Sequence, residues 1–256
     1  MILENKVALI TGAASGLGLA TTAAFIKQGG KVLMVDRNEA ALAQASQPFT
    51  DQALPAVVDV TDEKSVSEAV AAACKQWGAL HIAVNCAGVG MAGRTLGKTG
   101  PFSLSVFKQV IEINLVGTFN VLRLAAEAMV QNDPADNQGE RGVIINTASV
   151  AAFEGQIGQA AYSASKAGVV GMTLPVARDL ARDQIRVNTI APGVFNTPLM
   201  NMAPEPMRAR LAEQTVFPER LGEPEEYAAL AVHMVENSYL NGETVRLDAG
   251  IRMAAK

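Results

Sequence analysis

Short β-branched runs alternate along the chain with longer stretches of helical spacing. The pattern predicts strands at Val7–Thr11, Val32–Val35, Ala56–Val60, His81–Asn85, Val143–Thr147, Val187–Ala191 and Thr244–Leu247. It predicts helices over Leu17–Gln28, Lys64–Trp77, Val106–Met129, Ala160–Ala181 and Glu225–Val235. The strand runs are mostly continuous in apolar residues rather than alternating, as expected where helices cover both faces of a parallel sheet. The expectation is an α/β protein: a doubly wound, seven-stranded parallel sheet with helices on both faces. No Pro-, Gly- or Ser-rich linker and no repeat divides the sequence, so residues 1–256 read as a single domain. Two segments break the pattern, 89–105 with its glycines and 194–218 with its prolines and methionines, and both are candidate substrate loops.

Composition narrows the partners. Charged residues make up 18% of the 256 and the net charge is −4, without the clustered basic excess that nucleic acid requires. No apolar run approaches the length of a membrane span, and Met1–Lys6 lacks the basic, then apolar, plan of a secretion signal. Cys74 and Cys86 are too few for a disulfide framework and have no companions at metal-ligand spacing, which suits a reducing cytoplasm and no metal. His81 and His233 stand alone, one on a strand and one in an apolar helix, and read as structural.

The first strand runs into Thr11-Gly12-Ala13-Ala14-Ser15-Gly16-Leu17-Gly18 and then a helix, so backbone N–H groups at a positive helix end face a phosphate and the fold is of Rossmann type. Asp36 ends the second strand 24 residues after Gly12, where a carboxylate accepts hydrogen bonds from an adenosine ribose and repels a 2′-phosphate, favouring NAD over NADP. Arg37 beside it is the one nearby group suited to a 2′-phosphate. In Tyr162-Ser163-Ala164-Ser165-Lys166 the tyrosine and lysine share a helix face. An ammonium about 4 Å from the phenol, at an effective dielectric near 20, is worth about 4 kcal/mol, enough to bring Tyr162 from about 10 toward 7 as a general base. Ser149, just beyond the strand Val143–Thr147, lies at the carboxyl edge and can hold a substrate oxygen.

These residues resemble the short-chain dehydrogenase/reductase family: Thr11 to Gly18 match its TGxxxGxG, Asn85-Cys86-Ala87-Gly88 its NxAG, Tyr162 to Lys166 its YxxxK and Pro192-Gly193 its PG. The family pattern implies that Asn114 completes a tetrad with Ser149, Tyr162 and Lys166, relaying protons through water. Within the family, Arg141–Leu180 and Ala191–Leu199 look like the type-2 3-hydroxyacyl-CoA dehydrogenases, also called 17β-hydroxysteroid dehydrogenases type 10.

That resemblance implies an NAD-dependent oxidoreductase interconverting a secondary alcohol and a ketone, first of all 3-hydroxyacyl-CoA and 3-ketoacyl-CoA, with a hydroxysteroid or another small secondary alcohol as the alternative, in a homotetramer. It further implies that Gly12, Gly16 and Gly18 shape the cofactor turn, Ser15 and Leu17 contact the pyrophosphate, Asp36 the ribose, and Asp59 and Val60 the adenine. Asn85, Cys86, Ala87, Gly88, Pro192, Gly193, Phe195 and Thr197 would line the nicotinamide side, with Tyr162 and Lys166. Ser149, Gln156, Gln159 and Tyr162 would meet substrate.

Phe195, Leu199, Met200, Met202, Met207 and Phe217 make the later loop apolar and adaptable, as an acyl chain or a steroid would need. Arg94 and Lys98 in the earlier loop are candidates for CoA phosphates or plain solvated charges. Two rival readings stand beside the dehydrogenase: a serine acylase in which Lys166 activates Ser163, and a non-catalytic NAD-binding protein.

Overall fold

The computed structural model describes residues 1–49, 51–135 and 139–255. The main sheet is built from β1 (Val7–Thr11), β2 (Lys31–Asp36), β3 (Ala53–Val57), β4 (Ile82–Asn85), β5 (Gly142–Thr147), β6 (Ile185–Pro192) and β7 (Thr244–Leu247). All its pairings are parallel and the order is β3-β2-β1-β4-β5-β6-β7. The order therefore reverses between β1 and β4, opening a crevice at their carboxyl ends.

Helices α1 (Gly16–Lys27), α2 (Glu39–Ser46), α3 (Glu63–Trp77), α4 (Leu104–Ile111), α5 (Gly117–Met129), α6 (Ala160–Leu180), α7 (Pro198–Asn201), α8 (Glu205–Ala212) and α9 (Pro224–Glu236) complete the fold. Alternate residues of β1 point to opposite faces. Val7 and Leu9 join Val66 of α3 and Leu122 of α5 in one core. Ala8 and Ile10 join Phe25 of α1 and Tyr227 of α9 in the other. Each fully buried Leu, Ile or Phe side chain contributes about 1.5–3 kcal/mol, so continuous apolar strands are what two covered faces select.

Three departures from the sequence pattern have physical causes. The third strand lies at Ala53–Val57, not Ala56–Val60; Pro55 is tolerated inside it because β3 is the edge strand. The helix expected over Val106–Met129 is broken by a π-turn at Glu112–Val116, which apolar periodicity does not register. Segment 89–105 carries a small antiparallel pair, Leu96–Gly97 with Gly100–Pro101, and segment 194–218 holds α7 and α8.

His81 is structural: its Nδ1 accepts the Val7 N–H at 3.2 Å. His233 lies on the exposed side of α9 beside Asn237. Both cysteines are free thiols. Among the described residues no acidic, His or Cys cluster could hold a metal, and no helix is long and apolar enough to cross a membrane.

Candidate active site

The site starts at the turn from β1 into α1. Gly12 and Gly16 hold φ of +65° and +52°, and a methyl group on Gly18 would drive into the Gly12 carbonyl, so the turn closes only with glycine. Ser15 is extended at the N-cap and makes no side-chain cap, leaving first-turn N–H groups at the positive helix end for an anion. Thr11 Oγ1 accepts from the N–H groups of Cys86 and Ala87 at 3.1 and 3.0 Å, tying β1 to the segment after β4.

Asp36 closes β2, with Oδ2 accepting the Ala14 N–H at 3.2 Å and Oδ1 the Asn38 N–H at 3.0 Å. The carboxylate is thus anchored to the glycine turn. Beyond β3, Asp59 Oδ1 accepts from the Thr61 N–H and hydroxyl, and the Val60 carbonyl accepts from Asn120 Nδ2 at 2.9 Å. Asn85 donates its amide to Asn146 of β5 at 2.9 Å. A left-handed glycine turn, an uncapped helix start and a strand-end carboxylate held beside them fit a dinucleotide: N–H groups for the pyrophosphate, carboxylate for a ribose diol.

Next along the edge comes Ser149. Its Oγ accepts the Ala151 N–H at 3.1 Å, which leaves the hydroxyl proton to be donated elsewhere. Lys166 Nζ donates to the Thr147 carbonyl at 2.8 Å and lies 5.9 Å from the centre of the Tyr162 ring. Burial lowers the lysine from 10.5 to about 8. Burial also pushes the Tyr162 phenol upward, with the Ser149 hydroxyl working against it. The expected fall of Tyr162 toward 7 is therefore not met: desolvation dominates, and the ammonium is bonded to a carbonyl.

Asn114 sits in the π-turn between α4 and α5. Its Oδ1 accepts the Val89 N–H at 2.8 Å, and Nδ2 donates to the Val89 carbonyl and to Ser165 Oγ at 3.0 and 3.1 Å. Ser165 Oγ in turn donates to the Tyr162 carbonyl at 2.7 Å. A Cβ on Gly88 would lie 3.2 Å from Asn114 Oδ1 and 3.5 Å from Lys166 Nζ, so Gly88 is what lets these two approach the same point.

A cavity of about 270 Å³ gathers these groups. Ser149, Tyr162, Lys166, Gln156 and Gln159 line it, with Leu17, Cys86 and Gly88 from the nucleotide side. Pro192, Gly193, Phe195 and Thr197 close it after β6, and Leu199, Met200, Met207 and Leu211 add an apolar wall from segment 194–218. Gly12, Ser15, Gly16, Gly18, Asp36, Asp59, Val60, Asn85, Ala87 and Asn114 stand outside this lining. Segment 89–105 contributes Val89 to the lining, while Arg94 and Lys98 are exposed and outside it.

Residues that local patterns did not single out also take part. Thr147 holds Lys166 through its carbonyl and meets the fully buried Tyr227 hydroxyl at 2.7 Å through its own. Met253 lines the cavity from the far end of the chain. Ser163 Oγ, by contrast, is shielded from solvent, has no hydrogen-bond partner and is outside the cavity lining, which removes the acylase arrangement with Lys166.

Comparison with known proteins places the chain in a family. Residues 6–208 match the family model described as short chain dehydrogenase. The bovine and human proteins named 3-hydroxyacyl-CoA dehydrogenase type-2 are each 54% identical to the chain, covering 98% of it and 97% of their own length. A crystal structure of 3-hydroxyacyl-CoA dehydrogenase type-2 from Mycobacterium avium superposes with a TM-score of 0.94 at 40% identity, covering 98% of both chains.

Proposed function

The chain belongs to the short chain dehydrogenase family and is an oxidoreductase, and on that premise we propose that it interconverts 3-hydroxyacyl-CoA and 3-ketoacyl-CoA with NAD. The observation that carries the substrate class is the cavity itself. Its polar end holds Ser149, Tyr162 and Lys166, and its other wall is the apolar face of Val194, Leu199, Met200, Met207 and Leu211. Leu199 and Met207 are both half exposed, so this wall reaches solvent. An acyl chain can lie along it while a polar carrier stays in water. The names of the relatives point the same way.

NAD, rather than NADP, is supported by Asp36, a strand-end carboxylate tied to the glycine turn by the Ala14 N–H, and by a turn that carries no basic residue. The turn at Gly12–Gly18 with Ser15 and Leu17 would hold the pyrophosphate, Asp59 and Val60 the adenine end, and Asn85–Gly88, Pro192, Gly193, Phe195 and Thr197 the nicotinamide end. When bound, the cofactor supplies the hydride chemistry. Residues 1–256 would form one catalytic domain, with segments 89–105 and 194–218 as its substrate loops. It would work as a homotetramer in the cytoplasm, where Cys74 and Cys86 stay reduced.

Ser149, fixed as a donor by the Ala151 N–H, would hold the substrate oxygen with help from Gln156 and Gln159. Tyr162 keeps its proton on Oη at neutral pH, because burial disfavours the phenolate. It would therefore deliver that proton to a ketone, and accept it back in the alcohol direction. Lys166 replenishes or drains the tyrosine, and Asn114 orders the route beside Gly88.

The test follows NADH and NADPH oxidation with acetoacetyl-CoA beside a panel of ketosteroids and small β-keto esters. We expect acetoacetyl-CoA with NADH to be the best pair. Tyr162→Phe should reduce turnover about 10²–10⁴-fold while NADH still binds. Preference for a ketosteroid would transfer the enzyme to the hydroxysteroid reading, and retained turnover in the variant would remove Tyr162 from the chemistry.

A further inference from the structure

After β7 the backbone turns back over the substrate side of the cavity. Ala249 and Gly250 hold φ of +49° and +76°, a left-handed value at Ala249 that the surroundings must enforce. Ile251 is then fully buried with Val150, Val194 and Leu211, and Met253 packs on that same cluster. Met253 is also a cavity wall.

A charge cluster holds this tail. Arg246 grips Glu154 with two hydrogen bonds of 2.8 and 3.0 Å. Arg252 Nε lies 3.4 Å from the same carboxylate, and Asp248 bridges Arg246 and Arg252 at 2.8 and 3.1 Å. Glu154 Oε2 also accepts the Met253 N–H at 3.3 Å. Beyond it, Gln156 Nε2 and the Ile157 N–H donate to the Ala254 and Ala255 carbonyls, both at 3.0 Å. One carboxylate on the loop after Ser149 thus holds the Met253 backbone, while Gln156 and Ile157 tie down the two residues that follow it. Bidentate arginine geometry gives such a site direction as well as attraction.

We propose that Met253 is a specificity-determining residue for the ketone substrate, and that Glu154 is a positioning residue that acts through it. The proposal deepens the function given above and rests on it. Met253 packs on the cluster that holds Val150, the residue after Ser149, and lines the same cavity as Ser149, so its bulk limits the acyl group that fits there. Its unbranched thioether yields only within the limits that the tail's anchoring sets.

The test uses the full chain and two series, four- and ten-carbon 3-ketoacyl-CoAs and the ethyl esters of the same acids, with NADH. Met253→Ala should raise the long-to-short ratio of kcat/KM about tenfold, and Met253→Phe should lower it. Glu154→Gln keeps the side chain's size but not its charge, and should shift the ratio in the Ala direction about threefold, through KM rather than kcat. The double variant with Met253→Ala should go no further than Met253→Ala alone, because Glu154 acts through that side chain. NADH dissociation constants within about twofold of wild type show that the variants are folded.

An unchanged ratio in both Met253 variants, or a double variant whose effects multiply, overturns the proposal. Should Glu154→Gln fail to fold, the opposite shifts of the two Met253 variants decide. A wild-type enzyme that reduces the esters and no acyl-CoA overturns the proposed function and leaves the ester ratio to judge Met253; one that reduces neither series overturns both.

Discussion

At Lys166 and Tyr162 the cost of desolvation outweighs the opposing pull of Cys86 on the lysine and of the Ser149 hydroxyl on the phenol, and both residues shift toward their neutral forms. With Lys166 at about 8, reduction of the ketone should slow as pH rises through that value, because the lysine that resupplies Tyr162 loses its proton. Lys166→Arg stays charged over this range and should remove that limb from the profile even at a lower rate. A wild-type pH–rate profile that is flat from about pH 7 to 9 would exclude the relay. Ser149, Tyr162 and Lys166 were legible in the sequence because a strand end and an i, i+4 spacing are local signals. Thr147–Tyr227 and Glu154–Met253 lie 80 and 99 residues apart and left no such trace. The direction of the Tyr162 shift was also hidden, since it depends on burial that only packing creates.

Between elements, His81 at the head of β4 accepts the Val7 N–H that opens β1, joining the two strands that flank the crevice. Burial, reinforced by Lys6, lowers this imidazole from 6.5 to about 4. The folded state therefore refuses a proton that the unfolded chain binds. The resulting stability is complete above about pH 6.5 and is lost as pH falls toward 4. His81 is partly exposed, so the loss should be about 1–2 kcal/mol rather than the full shift. Urea midpoints at pH 7 and pH 5 should differ less in His81→Asn than in wild type; equal differences would show that another group carries the dependence. The strand number and parallel pairing were legible because continuous apolar runs alternate with helices. Boundaries were less so: Pro55 hid the first half of β3, whose tolerance depends on lying at an edge.

For the molecule as a whole, a groove of about 440 Å³ runs between α5 and α6, lined by Phe119, Leu122, Val176 and Leu180 among others. Phe119, one of its lining residues, remains 46% exposed. Light scattering should give a mass of four chains, and Phe119→Glu should lower it; a monomeric wild type would refute the tetramer. The groove and the active site share one further determinant. The π-turn at Glu112–Val116 adds one residue to what would otherwise be a regular α-helix. Removing that one residue would restore the regular helix and displace Asn114 inside the turn, whereas removing one at the start of α5, where no bulge absorbs it, would advance the phase of the rest of the helix by about 100°. Leu122, Ala125 and Met129 would leave the core, and Phe119 would leave the outer groove. A one-residue deletion is thus read by Asn114 if it falls in the turn, and by the interior and the outer face if it falls at the start of α5, so the length of this helix is far less free to vary than that of the loops around it.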